Sequence, residues 1–357
     1  MAGALGCAIH PAAAWLGFIW HWRLSVLILA LSLAVSGCAR MAARGLATAP
    51  NRYPRWLAPP GRTFLSYPES FLTNFPPRRL VVGPPPAELA YRVVPPADYR
   101  IAVTVSNWHA HGRVRQSFHF TAQFPAPPNN FTQQPRGTIF ILHGYGGDLT
   151  SMMPLALRLA QEGWQCVVPD LRGHGESSGR EISYGVADGG DLSSLLNHLA
   201  SDGPTGPVAV VGHSYGAVVG LRWAATDSRV KTAVALAPYA QLRDAALNIR
   251  QEYSPWFPEC ISRSGVQALP GYLGLSPVEL DPTAWLERTP VTALFIVGLE
   301  DKITPPLDSS RLRTRAKPDS STLFVPGANH ETVPYVFDPV LTATAAWLAA
   351  HVRGAGS

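Results

Sequence analysis

Residues 207–226 read PVAVVGHSYGAVVGLRWAAT. The opening run, Val208–Val211, is apolar without interruption, the pattern of a strand buried on both faces. The closing run, from Tyr215 onward, reads as a helix. Between them lies Gly212-His213-Ser214-Tyr215-Gly216, a G-x-S-x-G pattern. A serine in so sharp a strand-to-helix turn projects its hydroxyl above the sheet, and glycines flank it because side chains there would clash. The helix N-terminus behind the serine favours negative charge developing on a nearby oxygen. Five residues alone would be weak; the strand before and the helix after make the pattern specific.

The same alternation runs through the surrounding sequence. TIFILHG (138–144), CVVPDLRG (166–173), VKTAVALAP (230–238), VTALFIVG (291–298) and STLFVPG (321–327) are apolar runs closed by glycine or proline. MMPLALRLAQEG (152–163), Val186–Leu199 and VLTATAAWLAAHV (340–352) read as helices, and Leu312–Lys317 closes another. Strands that are apolar throughout and alternate with helices predict an α/β fold: a mostly parallel central sheet with helices on both faces. Arg100–Val105 and Gln116–Phe124 alternate apolar and polar residues around a loop containing Gly112. They read as an N-terminal antiparallel hairpin at one edge of that sheet. Its tip carries Trp108, His109 and His111, and an exposed polar tip explains them better than a metal site. Tyr239–Arg288 breaks the rhythm with Trp256, Phe257, Tyr272, Leu273 and Trp285, and is expected to form a lid between two strand units.

A serine hydroxyl needs a base, itself oriented by an acid, to act as a nucleophile at neutral pH. Asp301 follows a strand in GLEDKITPP and His330 follows a strand in PGANHE. Both fall just past strand C-termini, where the loops of an open α/β sheet build active sites. The order Ser–Asp–His also suits this fold. Glu300 and Asp308 are rival acids.

With HGYGG (143–147), DLRGHGESSG (170–179), GHSYG (212–216), GLEDKITP (298–305) and PGANHE (326–331) in this order, residues 137–352 resemble the α/β-hydrolase superfamily, particularly its lysophospholipase-like and serine-aminopeptidase-like branch. The resemblance covers about 60% of the chain. It implies Ser214 as nucleophile, Asp301 as acid and His330 as general base. The oxyanion hole it implies is made by the backbone N–H groups of Tyr145 and Tyr215. His143 and His174 are expected to brace loop backbone beneath the site, and His213 receives no role.

The N-terminus reads as an address. LSVLILALSLAVS (24–36) follows Arg23, is too short to span a bilayer comfortably, and matches a secretory signal core. It runs into Val35-Ser36-Gly37-Cys38, which resembles a bacterial lipobox, so Cys38 is expected to carry the lipid anchor. Ala39 behind it points to the outer membrane of a bacterial cell envelope. The expected organisation is a signal peptide over 1–37, a proline-rich tether and surface segment over 38–98, and a hydrolase domain over 99–353 with its lid at 239–288.

Composition narrows the rest. Hydrophobic residues make up 46% and charged residues 15%, which fits a globular domain with a large core. The net charge of +5 is spread along the chain without a basic run, so no nucleic-acid partner is expected. Four cysteines, Cys7, Cys38, Cys166 and Cys260, match no metal spacing, and a Cys166–Cys260 pairing stays open.

The expected function is hydrolysis of an ester-type acyl bond in a small-molecule substrate, through an acyl-enzyme and with no metal or organic cofactor. Two alternatives stand beside it. An aminopeptidase-like or thioesterase hydrolase could use the same residues; an aminopeptidase would want lid acids, and Asp244, Glu252, Glu259, Glu279 and Asp281 are available. A non-catalytic protein that kept the fold as a binding module is the other.

Overall fold

The computed structural model describes residues 37–52, 64–66, 70–110, 113–124 and 135–352. The signal core at 24–36 and the His111-Gly112 tip lie outside those residues.

Eleven strands are present among the described residues: β1 (Phe64–Ser66), β2 (Arg78–Val82), β3 (Ala87–Val94), β4 (Arg100–Ala110), β5 (Arg113–Gln123), β6 (Thr138–Leu142), β7 (Gln165–Pro169), β8 (Val208–His213), β9 (Val230–Leu236), β10 (Ala293–Gly298) and β11 (Ser321–Val325). Eight of them form the central sheet in the order β11-β10-β9-β8-β6-β7-β3-β2. From β11 to β7 all neighbours are parallel; β3 and β2 run antiparallel at the far edge. The predicted class, a mostly parallel sheet with helices on both faces, is the one observed.

The uninterrupted apolar runs have a direct cause. Ile139 and Ile141 enter the core on one face while Phe140 and Leu142 enter the other; Leu294 and Ile296 oppose Ala293 and Phe295 in the same way. Both faces of each central strand are dry, so alternation in space leaves no polar alternation in sequence. One face is covered by α1 (Met153–Gln161) and α8 (Phe337–His351). The other is covered by α2 (Asp188–Asp202) and α3 (Tyr215–Thr226). Between β9 and β10 the segment 239–288 folds as α4 (Leu242–Tyr253), α5 (Glu259–Leu273), a 3-10 turn (Pro277–Leu280) and α6 (Pro282–Arg288). The last connecting helix, α7, spans Pro306–Arg313 and ends within the Leu312–Lys317 stretch expected to close it. Pro306 stands at its first turn, where a missing N–H costs nothing, and Pro318 lies just beyond the expected end.

Two expectations need correction. The hairpin β4–β5 does not extend the central sheet. With β1 it forms a separate three-stranded sheet laid over the first face. Phe118 and Phe120 are buried while His119 between them is exposed, and both rings pack on Tyr335 at 5.2 and 5.9 Å. A strand with only one apolar face suits a surface sheet, not the interior of a layered one. The antiparallel edge comes instead from β2–β3, inside the stretch read as tether and surface segment. Prolines punctuate that stretch but fall outside the two strands, so AELAYRVV could take the buried position beside β7.

The second correction is nearer the N-terminus. Residues 37–47 form a helix, with Ala43 and Ala47 fully buried against the second face. Gly265 of α5 approaches it so closely that a Cβ there would lie 2.6 Å from the Ala42 methyl. Small residues on both helices let their backbones meet, which binds the N-terminal helix to the 239–288 segment.

Candidate active site

The chain passes from β6 outward to β7, then returns to place β8 on the other side of β6. The helix after β6 goes to one face and the helix after β8 to the other. Their connecting loops therefore part, leaving a crevice beyond the strand ends. The loop 143–147 and Ser214 face each other there: a Cβ on Gly144 would lie 3.5 Å from the Ser214 Cβ.

Ser214 sits at φ 53° and ψ −112°, outside the ordinary regions for a residue with a side chain. Its amide donates to the Leu236 carbonyl at 2.8 Å, which holds the turn to the neighbouring strand. A Cβ on Gly212 would stand 2.2 Å from the Gly216 oxygen, and one on Gly216 would stand 2.5 Å from the His143 oxygen. Both obstacles are backbone, so neither can rotate away. Gly216→Ala is therefore expected to push the turn out of place and slow fluorophosphonate labelling of Ser214 about a hundredfold. Labelling time courses on folded protein check this.

The Ser214 hydroxyl lies 2.9 Å from Nε2 of His330, and Nδ1 of His330 lies 2.9 Å from Oδ2 of Asp301. Ser214 and Asp301 are buried, and the His330 ring is slightly exposed. Oδ1 of Asp301 accepts the amides of Ile303 and Thr304, each at 2.8 Å. The carboxylate is thus fixed by its own loop and offers its second oxygen to the histidine. Among the rival acids, Glu300 is exposed, and Asp308 is buried where it accepts the Ala240 amide at 3.2 Å. The structure brings Asp301, not these two, to His330.

Tyr215 begins α3, so its amide is among those without an intrahelical acceptor. The Tyr145 ring lies 6.5 Å from the Tyr215 ring, which brings the 143–147 loop alongside the start of that helix. Nδ1 of His143 donates to the Gly144 carbonyl at 2.9 Å and Nε2 accepts the Leu171 amide at 2.9 Å, tying two loops beneath the crevice. His174 bonds the Arg172 carbonyl at 2.9 Å.

Three contributors escaped the sequence. The Thr304 hydroxyl stands 2.9 Å from Oδ2 of Asp301 and 3.1 Å from Nδ1 of His330, bracing both. Asp188 accepts the Tyr215 hydroxyl at 3.2 Å, and burial raises its carboxyl above the usual range. His213 lies 2.8 Å from the His330 carbonyl through Nε2. Burial first, then the neighbouring His330, holds the His213 ring down at about 3, so it is neutral and its Nε2–H donates. That bond steadies the loop carrying His330. No spacing announces these roles, because each partner is remote in sequence or sits on a loop.

The His213 shift has a consequence for stability. Unfolded, the ring takes its proton near 6.5; folded, only near about 3. Between those values the unfolded chain binds the extra proton, so stability falls as pH drops, by at most about 1.4 kcal/mol per unit. His213→Gln keeps a donor and removes the titration. Its thermal midpoint is expected to fall less than the parent's between about pH 7 and about pH 4.5, as measured by calorimetry.

Among the described residues no group of three His, Cys, Asp or Glu side chains could hold a metal ion, and no helix is long and apolar enough to cross a membrane. Cys166, buried on β7, and Cys260, exposed on α5, are both free thiols.

The model of a family described as serine aminopeptidase, S33, matches residues 133–285. The uncharacterized protein YqkD of Bacillus subtilis is 25% identical over 198 residues, 54% of this chain and 64% of that protein. A monoacylglycerol lipase of Mycolicibacterium smegmatis is 36% identical over 87 residues, 23% of this chain and 30% of the lipase. The chain thus spans less than two thirds of the length of these curated relatives. Among solved structures, an esterase of Pyrococcus furiosus superposes with a TM-score of 0.57 at 17% identity, covering 82% of this chain and 97% of the esterase.

Proposed function

We propose that this chain, which has the α/β-hydrolase fold, is a serine hydrolase that cleaves carboxylic esters through an acyl-enzyme. One observation carries the reading: the hydroxyl of Ser214, the ring of His330 and the carboxylate of Asp301 stand in one hydrogen-bonded chain with 2.9 Å links. In the first half-reaction the Ser214 oxygen attacks the ester carbonyl carbon while Nε2 of His330 takes its proton. Asp301 steadies the imidazolium through Nδ1, and the amides of Tyr145 and Tyr215 receive the oxyanion. The leaving alcohol departs with the proton from Nε2. Water then repeats the attack on the acyl-serine and releases the acid.

Esters are preferred over aminoacyl amides because four of the five acids named in the 239–288 segment are committed elsewhere. Asp244 pairs with Arg243 at 3.1 Å, and Glu259 pairs with Arg263 at 2.6 Å. Glu279 closes a capping box on Ser276, and Asp281 caps α6. A substrate ammonium would have to compete with these partners. Trp256, 80% exposed between α4 and α5, offers instead an apolar tip to an acyl chain. The segment serves as the lid of the site. The names of the esterase and the lipase among the similar proteins agree with this preference.

The cell-envelope address is part of the same proposal: Cys38 carries the lipid and holds the enzyme at a bacterial membrane, the outer one by Ala39. Labelled fatty acid entering the parent but not Cys38→Ala is the expected result.

Fluorophosphonate labelling tests the chemistry. The parent is expected to label and Ser214→Ala to stay blank. Persistent labelling of the variant would remove Ser214 from the mechanism; a folded parent that never labels would favour a binding module on this fold.

A further inference from the structure

Away from Ser214, a groove of about 620 Å³ is walled by Arg40, Arg44, Arg52, Arg180, Glu181 and Tyr272. Three parts of the chain meet in it. Arg40 and Arg44 lie four apart on the helix 37–47 and so share a face. Arg180 comes from the loop after β7, and Tyr272 from α5. The single acid of the wall, Glu181, already accepts the Tyr272 hydroxyl at 3.0 Å. Arg52 spends its Nε on the Gly179 carbonyl at 3.1 Å.

Several arginines elsewhere on this surface have carboxylate partners: Arg79 with Glu88 and Glu176, Arg229 with Asp227, Arg263 with Glu259. Among the described residues, no carboxylate lies within 4.0 Å of a side-chain nitrogen of Arg40, Arg44, Arg52 or Arg180. Four guanidinium groups share this groove with one carboxylate, so positive charge is in excess there and an anion relieves the repulsion. The planar guanidinium fork matches a phosphate in shape and charge.

The position of the groove says which phosphate. Arg40 and Met41 line it, and Cys38, two residues before Arg40 and the proposed carrier of the lipid, is exposed. Met41, 76% exposed, adds an apolar tip among the arginines. Basic side chains around a small apolar tip suit a headgroup layer, where arginines meet phosphates and the tip meets acyl chains.

We propose that this groove is a binding site for the phosphate groups of anionic phospholipids. It holds the body of the protein against the membrane in one orientation, beyond what a flexible lipid tether would do. The proposal shares with the functional reading its membrane location but not the chemistry of Ser214, so labelling of that serine is unaffected by its failure.

The test uses the full chain carried in vesicles, with phenylglyoxal modification of arginines followed by peptide mass spectrometry. Vesicles of phosphatidylcholine are compared with equal mixtures of phosphatidylcholine and phosphatidylglycerol. Arg40, Arg44 and Arg180 are expected to react at least about threefold more slowly on the anionic vesicles. Arg100 and Arg315, on other parts of the surface, should react at unchanged rates. Equal protection by millimolar inorganic phosphate on phosphatidylcholine vesicles would make this a soluble-anion site and overturn the lipid assignment. Unprotected groove arginines, or slowing of Arg100 and Arg315 to the same degree, would overturn it as well.

Discussion

Ser214→Ala is expected to hydrolyse short p-nitrophenyl esters about a millionfold more slowly than the parent, in kcat far more than in KM. The oxygen removed is the one proposed to bond to the substrate carbon, and nothing nearby replaces it. Thr304 is hydrogen-bonded behind His330, on the Asp301 side, and cannot reach the acyl carbon. The fold should tolerate the change. The Ser214 amide, which ties the turn to Leu236, remains, and alanine has the same Cβ as serine. Loss of turnover with an unchanged thermal midpoint separates the removed nucleophile from a collapsed site. Turnover within tenfold of the parent would end the serine-hydrolase reading.

Asp301→Asn is expected to lower kcat about ten-thousandfold through a proton placed on the wrong nitrogen. Two backbone amides, of Ile303 and Thr304, point at Oδ1, and only an oxygen can accept them. An asparagine therefore keeps its carbonyl oxygen there and puts its NH₂ where Oδ2 was, facing Nδ1 of His330. Nδ1 then has to accept a hydrogen bond, so the ring proton moves to Nε2. A protonated Nε2 cannot take the proton of the Ser214 hydroxyl 2.9 Å away. The loop geometry survives, so substrate affinity should change little while the rate collapses. Partial recovery at high pH, where hydroxide can act on the serine directly, is the signature expected of this cause. An equal loss of affinity and rate would point to a displaced loop.

The sequence by itself determined the class of the fold and singled out the side chains proposed to carry the chemistry. Strands sandwiched between two layers must be apolar at every position, so TIFIL, VAVV and ALFIV were legible without any structure. A serine at a tight strand-to-helix turn needs glycines beside it, and that too is written locally. Tertiary structure decided whatever depended on which segments meet. Prolines around Arg78–Val82 and Ala87–Val94 hid the last two strands of the sheet, because what makes them strands is pairing with β7 and with each other. The hairpin at 100–123 was visible as a hairpin, but its place over Tyr335 was set by matching aromatic surfaces far apart in sequence. His213, Thr304 and Asp188 gained their roles from partners brought close only by folding. The convergence of Arg40, Arg44, Arg52 and Arg180 has the same origin: charge is a property of each residue, but a net positive field belongs to the folded surface that assembles it.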